Sequence, residues 1–416
     1  MAKRRIDVSG SDYRPVYVVW ELTLSCDQPC THCGSRAGDA RKRELSTAEA
    51  LDVVRQLAAM RAEEIALIGG EAYLHPGFLD VIAAIRAAGI RCTMTTGGRS
   101  LDAQLAREMA RAGLEACSVS VDGLAHTHDV MRASPGSFEA ATSALRHLAA
   151  AGVRALANTN FNRWNAPDLE PLYAHLRDAG IRAWQVQLTA PLGRAADRPD
   201  MLLQPWDLLD LLPRIAAIKQ KAWAEGVLVM PGNNLGYFGP EEALLRSQHP
   251  GDADHVDHFQ GCLAGRFLMG IESDGSIKGC PSLQTSHYVG GNVTDRPLAE
   301  IWAKNSALSF TRTRTVDELW GYCRICPFAA TCMGGCSFTA HAFFGRPGNN
   351  PYCHYRARAF ARDGKRERLV PREPAPGEPF DCGRFDIVVE PHDAPEPPMP
   401  APRERLLRIR RPDRAA

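Results

Sequence analysis

A chain of 416 residues is long enough for two or three domains around a sizeable core. Its 49 Lys+Arg against 48 Asp+Glu leave a formal net charge of +1, so no surplus argues for a nucleic-acid partner or an acidic membrane surface. No apolar run approaches the roughly 20 residues of a membrane span. The basic start MAKRRIDVSGSDYRP has no apolar segment behind it, which excludes a secretory signal. Thirteen cysteines in an untargeted chain point to metal clusters in a cytoplasmic, oxygen-sensitive protein.

In chain order, the spacing predicts strands over 18–24, 64–68, 91–95, 116–121, 154–159 and 184–188. Helices with apolar residues at i, i+3, i+4 alternate with them over 47–60, 76–88, 101–112, 137–151 and 166–178, with Ser46 and Ser100 as N-caps. Ala-Gly pairs at Ala88-Gly89, Ala112-Gly113, Ala151-Gly152 and Ala179-Gly180 fit helix ends turning into the next strand. Such repeated units imply an α/β fold with a parallel sheet. Residues 205–225 read as another helix and LVMPG as a short strand, whereas 233–260 reads as a linker over the barrel mouth.

Directly after the first strand stand Cys26, Cys30 and Cys33, spaced C-x3-C-x2-C. Thiols this close in a cytosolic chain are metal ligands more often than disulfide partners. Three ligands leave a four-iron cluster with one iron open to a small molecule; a zinc knuckle missing one ligand is the plainer alternative. The run CDQPCTHC resembles the signature of the radical S-adenosylmethionine (SAM) enzymes. In that family the cysteines hold a 4Fe-4S cluster whose open iron binds SAM, and a 5'-deoxyadenosyl radical released from SAM abstracts hydrogen from substrate. The residue before the last cysteine is usually aromatic there; here it is His32.

The resemblance extends to the strand ends, where parallel barrels place their chemistry. Gly69, Gly70 and Glu71 after the second strand resemble the motif that holds the SAM amino group, with Ala72 in place of its usual proline. Ser118, Ser120 and Asp122 end the fourth strand, and Arg132 follows; in relatives such residues meet the ribose and carboxylate of SAM. Asn158 and Asn160 at the fifth strand and Gln187, Leu188 and Thr189 at the sixth face either SAM or substrate. The expected fold is an open (β/α)6 partial TIM barrel.

From residue 260 a second array appears: Cys262, Cys280, Cys323, Cys326, Cys332, Cys336 and Cys353. Cys262 and Cys280 bracket a hairpin with Asp274-Gly275 at its turn. The spacing resembles the seven-cysteine SPASM domain, which carries two auxiliary iron–sulfur clusters; paired zinc sites are the plainer alternative. By resemblance Cys323, Cys326, Cys332 and Cys353 hold one cluster, and Cys262, Cys280 and Cys336 hold three corners of the other. Its fourth corner falls to His255, His258, Cys382 or an open iron. By resemblance, Pro281 stands where sulfatase maturases carry an acidic residue, which argues against that activity; Glu272 and Asp274 are candidate bases in its place, though a hairpin turn favours their being solvated. Cys92 and Cys117 read as core thiols.

The organisation expected is an arm over 1–15, the barrel over 16–234, the SPASM domain over 235–362 and a tail over 363–416. The tail is Pro- and acid-rich, extended or disordered, with one strand in FDCGRFDIVVE and a basic amphipathic end, RERLLRIRR. The function implied is oxidative modification of a ribosomally made precursor peptide, forming a crosslink, thioether or unsaturation. A flavodoxin or ferredoxin-type reductant would supply electrons. With only about 15 residues ahead of the first strand, leader recognition falls to a separate protein, the tail or the barrel itself. Oxidation of a small metabolite in cofactor biosynthesis and a non-enzymatic electron carrier are the alternatives.

Overall fold

The computed structural model describes residues 12–248, 258–303 and 305–397. Seven strands run parallel and in sequence order: β1 (Tyr17–Thr23), β2 (Glu64–Gly69), β3 (Arg91–Thr96), β4 (Ala116–Ser120), β5 (Arg154–Phe161), β6 (Ala183–Leu188) and β7 (Leu228–Pro231). Between them lie α1 (Thr47–Ala59), α2 (Phe78–Ala87), α3 (Ala103–Ala112), α4 (Ala125–Arg132), α5 (Ser137–Ala150), α6 (Leu169–Asp178) and α7 (Leu208–Ala224). On the other side of β1 the sheet continues through β8 (Leu268–Ile271), parallel to β1, and then antiparallel β9 (Ser276–Lys278) and β10 (Val289–Asn292). The hairpin between Cys262 and Cys280 thus extends the barrel sheet.

Alternation along the strands sorts the two faces. Val18, Trp20 and Leu22 of β1 join Val53, Val54 and Leu57 of α1 in one buried apolar cluster. Inside the curve, Tyr17, Ala66, Thr93, Ser118 and Gln185 line a cavity of about 1080 Å³ at the N-terminal halves of the strands. The cysteine loop lies beyond the opposite strand ends, so this cavity is not where barrel chemistry belongs.

Several expectations change. Ser46 caps α1 in a reciprocal capping box, but α3 starts after Asp102, whose side chain accepts from Leu105 N at 2.8 Å. Ser100 donates instead to Asp27 at 2.6 Å. The stretch 233–260 is not wholly irregular: Glu242–Arg246 is helical, and buried Glu242 accepts from Tyr237 N and Phe259 N. The tail forms two strands, not one. β11 (Lys365–Glu373) pairs antiparallel with β12 (Arg384–Pro391), because Leu369 and Phe385 supply a buried face that the proline content concealed. The amphipathic end RERLLRIRR and His255 lie outside the described residues.

Candidate active site

Cys26, Cys30 and Cys33 leave the C-terminal end of β1 on one loop, and all are free thiols. The Gly69-Gly70-Glu71 segment is zipped onto the chain entering that loop: Gly70 N donates to Thr23 O at 2.8 Å and Glu71 N to Ser25 O at 2.7 Å. A Cβ on Gly69 would stand 2.2 Å from Thr23 O, and one on Gly70 2.0 Å from Ser25 O. The glycines are therefore required by backbone packing against the segment that leads to Cys26.

This packing brings Glu71 to the loop. Its carboxylate accepts from the Thr96 hydroxyl and from Gly97 N at 2.6 Å. Burial first, and then Asp27, push its pKa up to about 8. An incoming ammonium would relieve that cost, which is the chemistry expected of a SAM amino-group acceptor. Asp27 went unnoticed in the sequence, although it adjoins Cys26 in the motif itself. It accepts from Tyr73 at 2.9 Å and Ser100 at 2.6 Å.

The Cys30 side is basic instead. Buried Asp122 pairs with Arg132, with His32 Nε2 at 3.1 Å, and accepts from Asn160 N at 3.0 Å. Burial alone would raise its pKa, but Arg132 and then His32 hold it well below the carboxylate range. Ser120 is buried at the end of β4, level with buried Asn158 within β5, and Asn158 Oδ1 accepts from Gln187 Nε2 at 3.0 Å. Leu188 departs from its assigned role: its side chain belongs to the core, and Asn234 engages both its main-chain groups.

Among the described residues, only Cys26, Asp27 and Glu71 bring ligand atoms within 4.8 Å of one another as a single ion needs; the three sulfurs together do not. Buried His32 Nδ1, Gln28 Nε2, Asp27 Oδ1 and Arg132 Nε have no hydrogen-bond partner. Three free thiols ringed by unpaired polar atoms fit a multi-iron cluster with a polar cofactor better than a zinc ion.

Two further arginines secure the loop, Arg194 from the chain after β6 and Arg36 from the loop itself. Arg194 donates to Cys30 O at 3.0 Å, and Gly193 packs so closely that a Cβ would stand 2.4 Å from Cys33 O. Arg36 reaches Asp197, Gly193 O and, from the tail, Asp381. There the chain between β11 and β12 crosses as a strap: Phe380 N donates to Gly34 O at 3.1 Å and Cys382 bridges to Leu192. The Phe380 ring covers Lys278 Nζ at 3.8 Å, two residues before Cys280.

In the second array Cys332 has Cys353, Cys323 and Cys326 as neighbours, Cys280 has Cys262 and Cys336, and Cys336 also packs in one cluster with Cys332 and Cys353. Burial, and then Cys353, Cys323 and Cys326, push the Cys332 thiol up. Burial, and then Cys262 and Cys336, push Cys280 up to about 12. Cys382 lies against His341 O at 4.0 Å, while the His258 ring is 5.8 Å from that of Phe238. Glu272 is not solvated: the hairpin docks on β1, burying it with Lys278 at 2.6 Å and Arg41 at 3.1 Å. Cys92 and Cys117 are core thiols, as expected.

A family model, the Radical SAM superfamily, matches residues 20–176, and a second, the SPASM iron-sulfur cluster-binding domain, matches 262–327. Mycofactocin maturase MftC of Mycobacterium ulcerans is 30% identical over 368 residues, covering 86% of this chain and 92% of that protein. The chain belongs to the radical SAM superfamily, in its SPASM-bearing branch. An AdoMet-dependent heme synthase of Nitratidesulfovibrio vulgaris is 29% identical over 364 residues, covering 82% of this chain and 92% of that protein. The crystal structure of Streptococcus suis SuiB bound to precursor peptide SuiA shares the fold at a TM-score of 0.64 and 14% identity, over 82% of this chain and 75% of that one. This radical SAM enzyme accordingly uses SAM, a 4Fe-4S cluster and auxiliary iron–sulfur clusters, which sets the electron-carrier alternative aside. No helix among the described residues is long and apolar enough to cross a membrane.

Proposed function

We propose that this enzyme matures a ribosomally made precursor peptide by oxidative bond formation: a crosslink, thioether or unsaturation. When bound, the reactive cluster and SAM supply a 5'-deoxyadenosyl radical able to take hydrogen from an unactivated C–H bond. Cys26, Cys30 and Cys33 would hold that cluster, and buried Glu71 would take the ammonium of SAM, with Gly69 and Gly70 fixing its approach. Ser120, Asn158 and Gln187 offer polar contacts along β4, β5 and β6, beyond which lie Asp122 and His32. Cys323, Cys326, Cys332 and Cys353 would hold one auxiliary cluster, and Cys262, Cys280 and Cys336 the other, to accept the electron lost by substrate.

The observation that carries a peptide is the open edge of β12, which starts two residues after Cys382 in the strap on the cysteine loop. Within the described residues β12 pairs only with β11, exposes Val388 and Val389, and begins beside Cys382, which bridges to Leu192 next to the cysteine loop. An extended peptide can add to such an edge by main-chain hydrogen bonds. The relation to the mycofactocin maturase favours the same reading. A flavodoxin or ferredoxin-type reductant would serve the clusters, and a separate leader-recognition protein would be compatible with this edge.

The second reading, oxidation of a small metabolite, has the heme synthase relatives in its favour. Anaerobic incubation with SAM, reductant and peptides encoded beside the gene decides between them. A peptide lighter by two hydrogens is expected. Unaltered peptides together with consumption of a porphyrin carboxylate would replace the proposal with the second reading.

A further inference from the structure

Beside the neutral Ser35 hydroxyl on Cys33 Sγ at 3.5 Å and Gln28 Oε1 on Cys30 Sγ at 3.9 Å, a charged side chain also meets a sulfur of the cysteine loop. Arg132, the last residue of α4, donates from Nη1 to Cys30 Sγ at 3.5 Å, and both groups are buried. Its other arm pairs with Asp122, itself fixed by Asn160 N and His32. The helix end is docked on the cysteine loop as well: Thr31 N and its hydroxyl both donate to Met131 O at 2.8 Å. The guanidinium is therefore held against the sulfur from two directions.

We propose that Arg132 sets the reduction potential of the reactive cluster through its hydrogen bond to Cys30 Sγ. A guanidinium stays charged at any relevant pH. Reduction adds one negative charge to the cluster and its thiolates. A fixed cation and donor at a ligand sulfur stabilises that added charge, and more strongly where water is excluded. The potential is thereby raised toward the reach of the electron donor. On the opposite flank Cys26 lies beside the carboxyl groups of Asp27 and Glu71. Asp122 acts as the positioning residue: it holds the guanidinium while its own charge moderates the effect.

This assignment differs from a contact between Arg132 and the SAM carboxylate, and the two are separable. The test is an anaerobic redox titration followed by EPR, without SAM, on the wild type, Arg132→Met and Arg132→Lys. The spectrum of the Cys26→Ala/Cys30→Ala/Cys33→Ala protein is subtracted to isolate the reactive cluster. Arg132→Met should be reduced at least tenfold less readily, a downward shift of about 59 mV for one electron. Arg132→Lys should fall between, and the auxiliary signals should not move. An unchanged midpoint in Arg132→Met, even with weakened SAM binding, would overturn the proposal, as would an equal shift of the auxiliary signals. If Arg132→Met does not retain the reactive iron, Arg132→Lys decides, and an unshifted midpoint there overturns it equally.

Discussion

Arg36 and Asp381 are joined across 345 positions of sequence: Nε of the arginine donates to Oδ1 of the carboxylate at 2.8 Å. Arg36 stands three residues after Cys33 at φ 51°, and Asp381 belongs to the strap that crosses toward the auxiliary hairpin. One ion pair thus couples the reactive cysteine loop to the strap between β11 and β12.

Removing that carboxylate tests the coupling. Both side chains are nearly buried, and Arg36 keeps Asp197 as a partner at 2.6 Å. Asp381→Ala should therefore cost less than a fully orphaned buried charge, about 2 kcal/mol. Amide exchange at Phe380, which is bonded to Gly34 O, should accelerate more than exchange in β3. Equal protection at Phe380 in both proteins would show that the strap is held by other contacts.

Much of the barrel was legible because its residues obey two periods at once. Strands such as Arg91–Thr96 and helices such as Thr47–Ala59 fall within one or two residues of expectation. The hairpin at Asp274-Gly275 was likewise readable from its turn pair. What escaped are contacts made by long-range packing. Arg36 and Arg194 sit in Gly-rich stretches where nothing local marks them as clamps on the cysteine loop. The burial of Glu272 depends on β8 docking against β1, a pairing no local pattern encodes. Proline content concealed β11, since Pro371 is tolerated in a sheet of only two strands.

His128 makes stability depend on pH. Its Nδ1 accepts from Asp122 N at 3.0 Å and so must be unprotonated in the folded chain. Burial, followed by the Arg132 charge, lowers its pKa from 6.5 to about 3. Between these values the unfolded chain binds the proton and the folded chain does not. The contribution is therefore complete above about 6.5 and is lost progressively as pH falls toward 3. Urea unfolding at pH 5 and pH 7 should show this slope, on the order of 1 kcal/mol per pH unit. His128→Asn should flatten it; an identical slope in the two proteins would remove His128 from the account.

The two thiol arrays should separate by mutation. Replacing Cys26, Cys30 and Cys33 together by alanine leaves Cys332 among Cys353, Cys323 and Cys326, and Cys280 beside Cys262 and Cys336. Anaerobically reconstituted triple variant should keep the auxiliary iron and sulfide yet release no 5'-deoxyadenosine with SAM and dithionite. Release at the wild-type rate would mean that the reactive cluster is held elsewhere.

Gly70→Ala probes the packing that delivers Glu71. The new methyl would stand 2.0 Å from Ser25 O and 2.6 Å from Leu24 O, both main chain, so no side chain can turn aside. The segment entering Cys26 must move, at a cost of about 1–3 kcal/mol if it behaves as ordinary overpacking. Because Glu71 N donates to Ser25 O, that movement pulls the carboxylate away from the loop. SAM affinity should fall at least tenfold, measured by equilibrium dialysis of the reconstituted protein. Gly89→Ala supplies the comparison: at φ 75° it carries only the left-handed backbone penalty of about 1–2 kcal/mol, and nothing lies within 4 Å of its new Cβ. It should bind SAM as the wild type does. Equal SAM binding in both variants would mean that the Gly70 contact does not position Glu71.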